Sequence, residues 1–286
     1  GLSPAVCICL VYVLDRKTAL RREIRTAVRI EIGYLIFLFV TIPCGMVFSV
    51  SADNIYSRGP HFYIYVVMYF GAILYLSAST VITAREFQNR SRLLIYPLIL
   101  FVMAETIIQV ALPELHVTWL CVTLLSVLYF IYCSEMWNQL DALTGLLNQN
   151  SYLKQTGGVR YKGGVLVVFD VDDFKQINDR YGHIQGDLCL AGIAECIKKS
   201  YANFGYCYRI GGDEFCVLLK NGGNEGRCKQ EFLQRLQEKR GEIAFLPTVS
   251  YGSAPFSGED IVKVKDRADQ DMYQYKKERK NRKRLS

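Results

Sequence analysis

Two hydrophobic patterns divide the chain. Over the first 136 residues, apolar positions come in long runs near 2–14, 31–50, 62–82, 93–112 and 116–133, rich in Leu, Ile, Val, Phe and Tyr. The last four approach the ~20 residues that a helix needs to cross about 30 Å of hydrocarbon. One such run is compatible with a buried soluble helix. Four in series, separated by short charged or turn-like pieces, predict a membrane bundle of about five helices. From Asp141 onward the runs shorten and alternate with polar stretches. The pattern there predicts a helix near 148–156, a fully apolar central strand at 165–169 and a helical turn at 174–180. A helix at 186–200 follows, then a hairpin of strands 206–210 and 215–219 across Gly211-Gly212-Asp213-Glu214. A helix at 225–240, a strand at 245–251 ended by Gly252, and a last helix after Ser257-Gly258 complete it. The β-α-β-β-α-β order predicts an α+β, ferredoxin-like domain with a central antiparallel-containing sheet and flanking helices, over 137–286. An all-α transmembrane bundle over 1–136 precedes it.

Composition agrees with this division. Of 286 residues, 51% are hydrophobic, high for a wholly soluble protein. Basic residues cluster in alternate connections. Arg16, Lys17, Arg21, Arg22, Arg25 and Arg29 lie in 15–29, and Arg85, Arg90 and Arg92 in 85–92. The positive-inside bias puts these loops and the C-terminal half in the cytoplasm, with the chain multi-pass in an inner or plasma membrane. Five spans leave Gly1 outside. The short first run without an initiator Met reads as a truncated span. Glu105 within a span, and His61 and His116 at predicted outer edges, are the local hints of an input ligand, which the sequence does not identify. The fifth span runs through 133–140 with no Pro or Gly to stop it, which predicts a stiff junction and regulation through its dimeric packing.

Other chemistries are disfavoured. The ten cysteines include no CxxC pair and no matching histidine cluster, so they read as free thiols used as small hydrophobes. The net charge of +7 is largely accounted for by inside-facing loops, and the basic tail has no aromatic stacking pattern. No polynucleotide partner is expected. A transporter leaves the catalytic-looking half unexplained.

That half carries a candidate site. Asp170 closes the predicted central strand, and Asp213 and Glu214 stand at the tip of the neighbouring hairpin. Carboxylates converging from two strands suit Mg²⁺, which favours hard oxygen ligands and brings triphosphate oxygens with it. Gly211 and Gly212 permit the turn and let backbone approach a phosphate or base. Lys175 can neutralise phosphate. An amide at Asn178 and a carboxylate at Asp187 complement the Watson–Crick edge of guanine. Each taken alone also reads as a helix cap.

The set DALTGLLN at 141–148, FDVDDFKQINDRYGHIQGD at 169–187, GGDEF at 211–215, VSYGSA at 249–254 and ADQDMYQYKKERKN at 268–281 resembles the GGDEF-domain diguanylate cyclase family in order and spacing. The resemblance implies a palm-like domain and a bacterial signalling enzyme joining two GTP into cyclic di-GMP. Asp170 and Asp213 are then carboxylate metal ligands, Val171 a carbonyl ligand, and Glu214 an assistant at Mg²⁺ or Mn²⁺. Asn178 and Asp187 read guanine. Lys276 and Lys280 face the triphosphate, Lys280 replacing the more usual arginine, and Arg279 stands where the family often has glycine. Arg209 braces the hairpin or an opposing nucleotide. A homodimer through the catalytic domain and the membrane junction is implied, since each domain holds one GTP. Ala202 and Gly205 occupy the positions of the product-binding RxxD pair, so product inhibition is expected to be weak. The alternatives are a catalytically inactive GTP-binding signalling protein and an enzyme making another cyclic dinucleotide.

Overall fold

The computed structural model describes residues 3–14, 21–52, 56–86, 95–112, 118–157 and 163–285. Arg16, Lys17, Arg90, Arg92 and His116 lie outside them. The chain divides into two compact units, 1–137 and 138–286.

The first unit is helical with one exception. It comprises α1 (Ser3–Leu14), α2 (Arg21–Thr41), a ribbon of β1 (Phe48–Val50) and β2 (Tyr56–Arg58), α3 (Tyr63–Glu86), α4 (Ile95–Ala111) and α5 (Thr118–Asn138). The ribbon corrects the all-α expectation and the predicted 31–50 span. The apolar run continues through 48–50, but the α2 helix stops at Thr41. The Thr41 hydroxyl donates to the carbonyls of Phe37 and Leu38, and Pro43 cannot donate to the turn before it. Phe48–Val50 then pairs antiparallel with Tyr56–Arg58, and Ser49 and Ser57 share a 2.7 Å hydrogen bond across the pair. Among the described residues, two helical stretches are long and apolar enough to cross a membrane, Tyr63–Thr83 and Trp119–Asn138. Thr80 of α3 and Tyr129 of α5 share a buried hydrogen bond of 2.9 Å.

The second unit is built on β3 (Gly164–Val171). After α6 (Gln149–Thr156) and β3 come α7 (Phe174–Tyr181), α8 (His183–Tyr201), β4 (Gly205–Arg209), β5 (Glu214–Leu219), α9 (Glu225–Glu242), β6 (Val249–Phe256) and α10 (Ile261–Leu285). The sheet order is β4-β5-β3-β6, all antiparallel, the order of a ferredoxin-like fold. Successive side chains leave a strand on opposite faces. Val165, Val167, Phe169 and Val171 therefore enter one core with α8 and α9, while Leu166 and Val168 enter another with α6 and α10. Burial on both faces explains why β3 is a continuous apolar run, each buried Val, Leu or Phe contributing about 1.5–3 kcal/mol. The buried cysteines belong to these cores. Burial pushes the Cys189 and Cys196 thiols up to about 11 and the Cys207 thiol up to about 12, so they pack as neutral hydrophobes.

The last strand differs from the expected 245–251. Leu246 is apolar because it enters the α8/α9 core, and Phe245 stacks on Tyr181 with ring centroids 4.8 Å apart. The strand begins at Val249 and carries Gly252 and Pro255 within it. Pro255 is tolerated because β6 is an edge strand. Gly252 has a packing role. A Cβ there would lie 2.2 Å from the Met272 nitrogen and 2.3 Å from the Ala268 carbonyl oxygen, so the bare backbone lets α10 close onto the sheet.

Asp141 fastens the entry turn to the β4–β5 hairpin. Its Oδ1 accepts from the Thr144 amide (2.9 Å), the Thr144 hydroxyl (2.6 Å) and Arg209 (3.1 Å). The same guanidinium donates twice to the Gly212 carbonyl, at 2.7 and 3.2 Å. Burial pushes the Asp141 carboxyl up, but Thr144 and Arg209 outweigh it and hold it below the ordinary carboxylate value.

Two outcomes follow for stability. Gly252→Val should destabilise the second unit by at least about 2 kcal/mol in denaturant titrations, while Gly223→Ala, whose Cβ meets open space, should change little. A depressed carboxyl stabilises fully above its unfolded pKa of about 4 and loses that contribution as pH falls through the lower folded value. Asp141→Asn should therefore lower the unfolding midpoint at pH 7, and its gap from wild type should narrow as pH falls below the unfolded value and through the lower folded one. An unchanged gap across that window would refute the assignment.

Candidate active site

The site is the end of the sheet where β3 and β5 finish. Register sets Asp170 directly opposite Glu214. The Val171 amide donates to the Asp213 carbonyl at 3.2 Å, tying the hairpin tip to the end of the central strand. The turn is closed by the Ile210 amide on the Glu214 carbonyl at 3.0 Å. Its two glycines differ. A Cβ on Gly211 would sit 3.2 Å from Glu214 Oε2, so the carboxylate lies against that backbone, whereas Gly212 faces open space. Arg209 braces the hairpin through Gly212 and Asp141.

Asp170 is paired with Lys276 from α10 through Oδ2, and Lys276 also lies 3.5 Å from Asp172 Oδ1. Burial lowers the Lys276 ammonium, but Asp170 and Asp172 outweigh it and hold its pKa above the ordinary lysine value. Among the described residues, no three His, Cys, Asp or Glu side chains gather into a cluster able to hold a metal. Carboxylate oxygens are nonetheless the donor type that a divalent cation takes. Asp170, Asp213 and Glu214 offer hard oxygens at one strand end, and Asp170 already holds a positive charge there.

Beyond the strand end, Asp173 takes a left-handed conformation (φ 54°, ψ 31°) immediately before α7, an uncommon backbone for a non-glycine residue. One turn along, Asn178 keeps its Oδ1 buried without a hydrogen-bond partner among the described residues. A Cβ on Gly186 would lie 1.9 Å from that oxygen, so α8 leaves space for the amide by carrying glycine. The next residue, Asp187, is exposed, as is Lys175 in the first turn of α7. Lys280 lies in α10, and its side chain is outside the described residues.

Asp172 was not singled out by sequence reasoning, although it is the second acid of FDVDDF. It is 8% exposed. Its oxygens accept from Thr248 (2.9 Å) and Ser250 (2.7 Å), and Arg279 lies 3.0 Å from Oδ2. Gly186 was missed as well. The spacing DxD, with an apolar residue between, was the available signal for Asp172. For Gly186 no sequence signal marked the close approach.

Residues 138–282, just over half the chain, match the family model described as "Diguanylate cyclase, GGDEF domain". The chain is 40% identical over 96 residues to the probable diguanylate cyclase DgcI of Escherichia coli, spanning 33% of this chain and 21% of that one. It is 35% identical over 159 residues to diguanylate cyclase DgcP of Pseudomonas aeruginosa, 50% of this chain and 23% of the relative. Diguanylate cyclase DgcS of Shewanella oneidensis is 32% identical over 154 residues, 51% and 52% of the two chains. The chain thus spans about half or less of the length of these relatives. With the motifs, the sheet order and the family match in agreement, the chain belongs to the GGDEF-domain diguanylate cyclase family.

Proposed function

We propose that this protein is a membrane-anchored diguanylate cyclase that condenses two GTP into cyclic di-GMP and two pyrophosphates. The observation that carries the reading is the register of Asp170 against Glu214, with the Asp213 carbonyl held by the Val171 amide. It brings acids from two strands to one sheet end. Asp170, Asp213, Glu214 and the Val171 carbonyl would hold Mg²⁺ or Mn²⁺. When bound, such an ion polarises the α-phosphate and lowers the pKa of the attacking 3′-hydroxyl.

The remaining work belongs to side chains. Asn178 presents its unpartnered buried oxygen to guanine N–H donors, and Asp187 supplies a second acceptor. Adenine has no matching donor pair and would leave that oxygen unsatisfied, a penalty of about 1–3 kcal/mol. Lys175, Lys276 and Lys280 balance the triphosphate charge. Gly212, with open space around it, admits the nucleotide against backbone. Each 3′-oxygen forms a bond to the α-phosphorus of the other GTP as the α–β phosphoanhydride breaks, and Asp213 is the candidate acceptor of the hydroxyl proton. One site holds one GTP, so two chains must face one another, and dimer geometry can set the rate.

Anchoring rests on the two apolar helical stretches and on the outward apolar side chains of the first unit, including Phe39, Val67, Leu100 and Leu120, each at least 65% exposed. With the basic connections inside, the catalytic unit lies in the cytoplasm and residues 1–136 form a multi-pass input domain for an unidentified ligand.

The full chain in detergent, incubated with GTP and Mg²⁺, should yield cyclic di-GMP and pyrophosphate in a 1:2 ratio by mass spectrometry and phosphate assay. Asp213→Ala should lower the rate by at least about two orders of magnitude. GTP binding without product would instead identify an inactive GTP-responsive protein. Added cyclic di-GMP should lower the initial rate only weakly. Ala202 and Gly205 provide no charge pair, and a Cβ at Gly205 would meet the Leu218 carbonyl at 2.4 Å. Tight product inhibition that persists in an Asn178→Ala variant would contradict this.

A further inference from the structure

Among the described residues of the first unit two carboxylates are buried, Glu31 of α2 and Glu105 of α4, each 5% exposed. Neither Oε1 nor Oε2 of Glu31 has a hydrogen-bond partner among the described residues, and neither has the hydroxyl of Tyr34, which is buried to the same extent. Three residues apart on one helix, the two side chains share a face of α2. The Cys7 thiol of α1 interacts electrostatically with Glu31, as does the Tyr34 hydroxyl, and Tyr34 interacts in turn with Tyr65 of α3. Groups from three helices therefore meet around the acid. Tyr65 stacks on Tyr69 with centroids 6.0 Å apart and planes 6° apart. Leu38, Ile64 and Met68 belong to the apolar cluster that holds Tyr34. Glu105 stands elsewhere, on α4 beside Cys121 of α5.

We propose that Glu31 and Tyr34 form a binding site for a primary amine that carries an apolar tail. This names a ligand chemistry for the input domain proposed above and rests on that reading, but it does not depend on catalysis. A primary ammonium has three N–H donors. The site has three oxygens that receive none, two on Glu31 and one on Tyr34. The positive charge also offsets a carboxylate that is otherwise buried uncompensated, the condition in which taking it out of water costs most. Protonating Glu31 removes the charge alone. Its new O–H and the Tyr34 hydroxyl would still lack partners among the described residues. Nearby tyrosine rings favour a cation through their electron-rich faces, and the surrounding Leu, Ile and Met side chains suit the tail. An ionisable side chain held inside a membrane domain is a functional position by default, since its burial is expensive unless something pairs with it.

The test uses the full chain in phosphatidylcholine nanodiscs, whose quaternary headgroup has no N–H, with tritiated phenethylamine as the probe. Binding should be saturable and displaced by unlabelled butylamine, but not by Na⁺ at the same concentration and ionic strength. Glu31→Gln, which keeps the size and removes the charge, should weaken it at least about tenfold, and Tyr34→Phe about tenfold. Glu105→Gln, on another helix, should change it less than about twofold. Phosphatidylethanolamine nanodiscs separate two sources of the same ammonium. Loss of probe binding there assigns the site to the lipid headgroup and retention assigns it to a free amine, and either result supports an ammonium site. No saturable binding by wild type, equal displacement by Na⁺, or an equal loss in Glu105→Gln overturns the proposal. Tyr34→Phe, which removes a single oxygen, decides the case if Glu31→Gln fails to fold, and unchanged binding by that variant also overturns it. Cyclic di-GMP formation is read on the same samples. Amine binding without product leaves the site standing and refutes the cyclase reading, and product without amine binding does the reverse.

Discussion

Negative charge at the end of a strand buried on both faces must be neutralised without being hidden, and the second unit is arranged around that constraint. β3 contributes six buried side chains to two cores, with Asp170 near its end and Asp172 just beyond it. The acid that stays inside is surrounded by two hydroxyls and a guanidinium. The one nearer solvent is left with a lysine. An unpaired buried carboxylate would cost several kcal/mol, so α10 has to dock closely enough to bring its cations to β3. That docking depends on bare backbone at Gly252, where the helix and β6 meet.

The same economy governs the neighbouring elements. Arg209 satisfies the Gly212 carbonyl and Asp141 together, so the entry turn and the β4–β5 hairpin share one brace. The hairpin tip is fixed a second time by the Val171 amide. A glycine-opened turn is conformationally permissive, and these two ties fasten it to the central strand and the entry turn. Asn178 is the counter-example. Its buried oxygen has no hydrogen-bond partner among the described residues.

The first unit follows a different rule. Many of its largest apolar side chains point outward, and its interior contacts include a Thr–Tyr hydrogen bond between helices. That contact satisfies two buried hydroxyls at once and ties α3 to α5. The antiparallel ribbon at 48–58 shows how an apolar run can serve a purpose other than spanning. Phe48 packs beside Tyr34, Leu38 and Val47, so its hydrophobicity belongs to a local cluster.

Local chemistry already written in the chain determined the element order, the central strand, the hairpin and the acids at its tip. Period-2 burial and glycine-marked turns act over a few residues and can be read directly. The boundaries of the last strand could not be read so, because Leu246 is apolar for a core contact outside the strand, and Gly252 marks a helix crossing instead of a strand end. The pairing of Lys276 with Asp170 and Arg279 with Asp172 spans over a hundred residues of sequence. Only the docking of α10 decides which contacts form, since charge complementarity alone does not place Lys276 between Asp170 and Asp172 with Arg279 on Asp172.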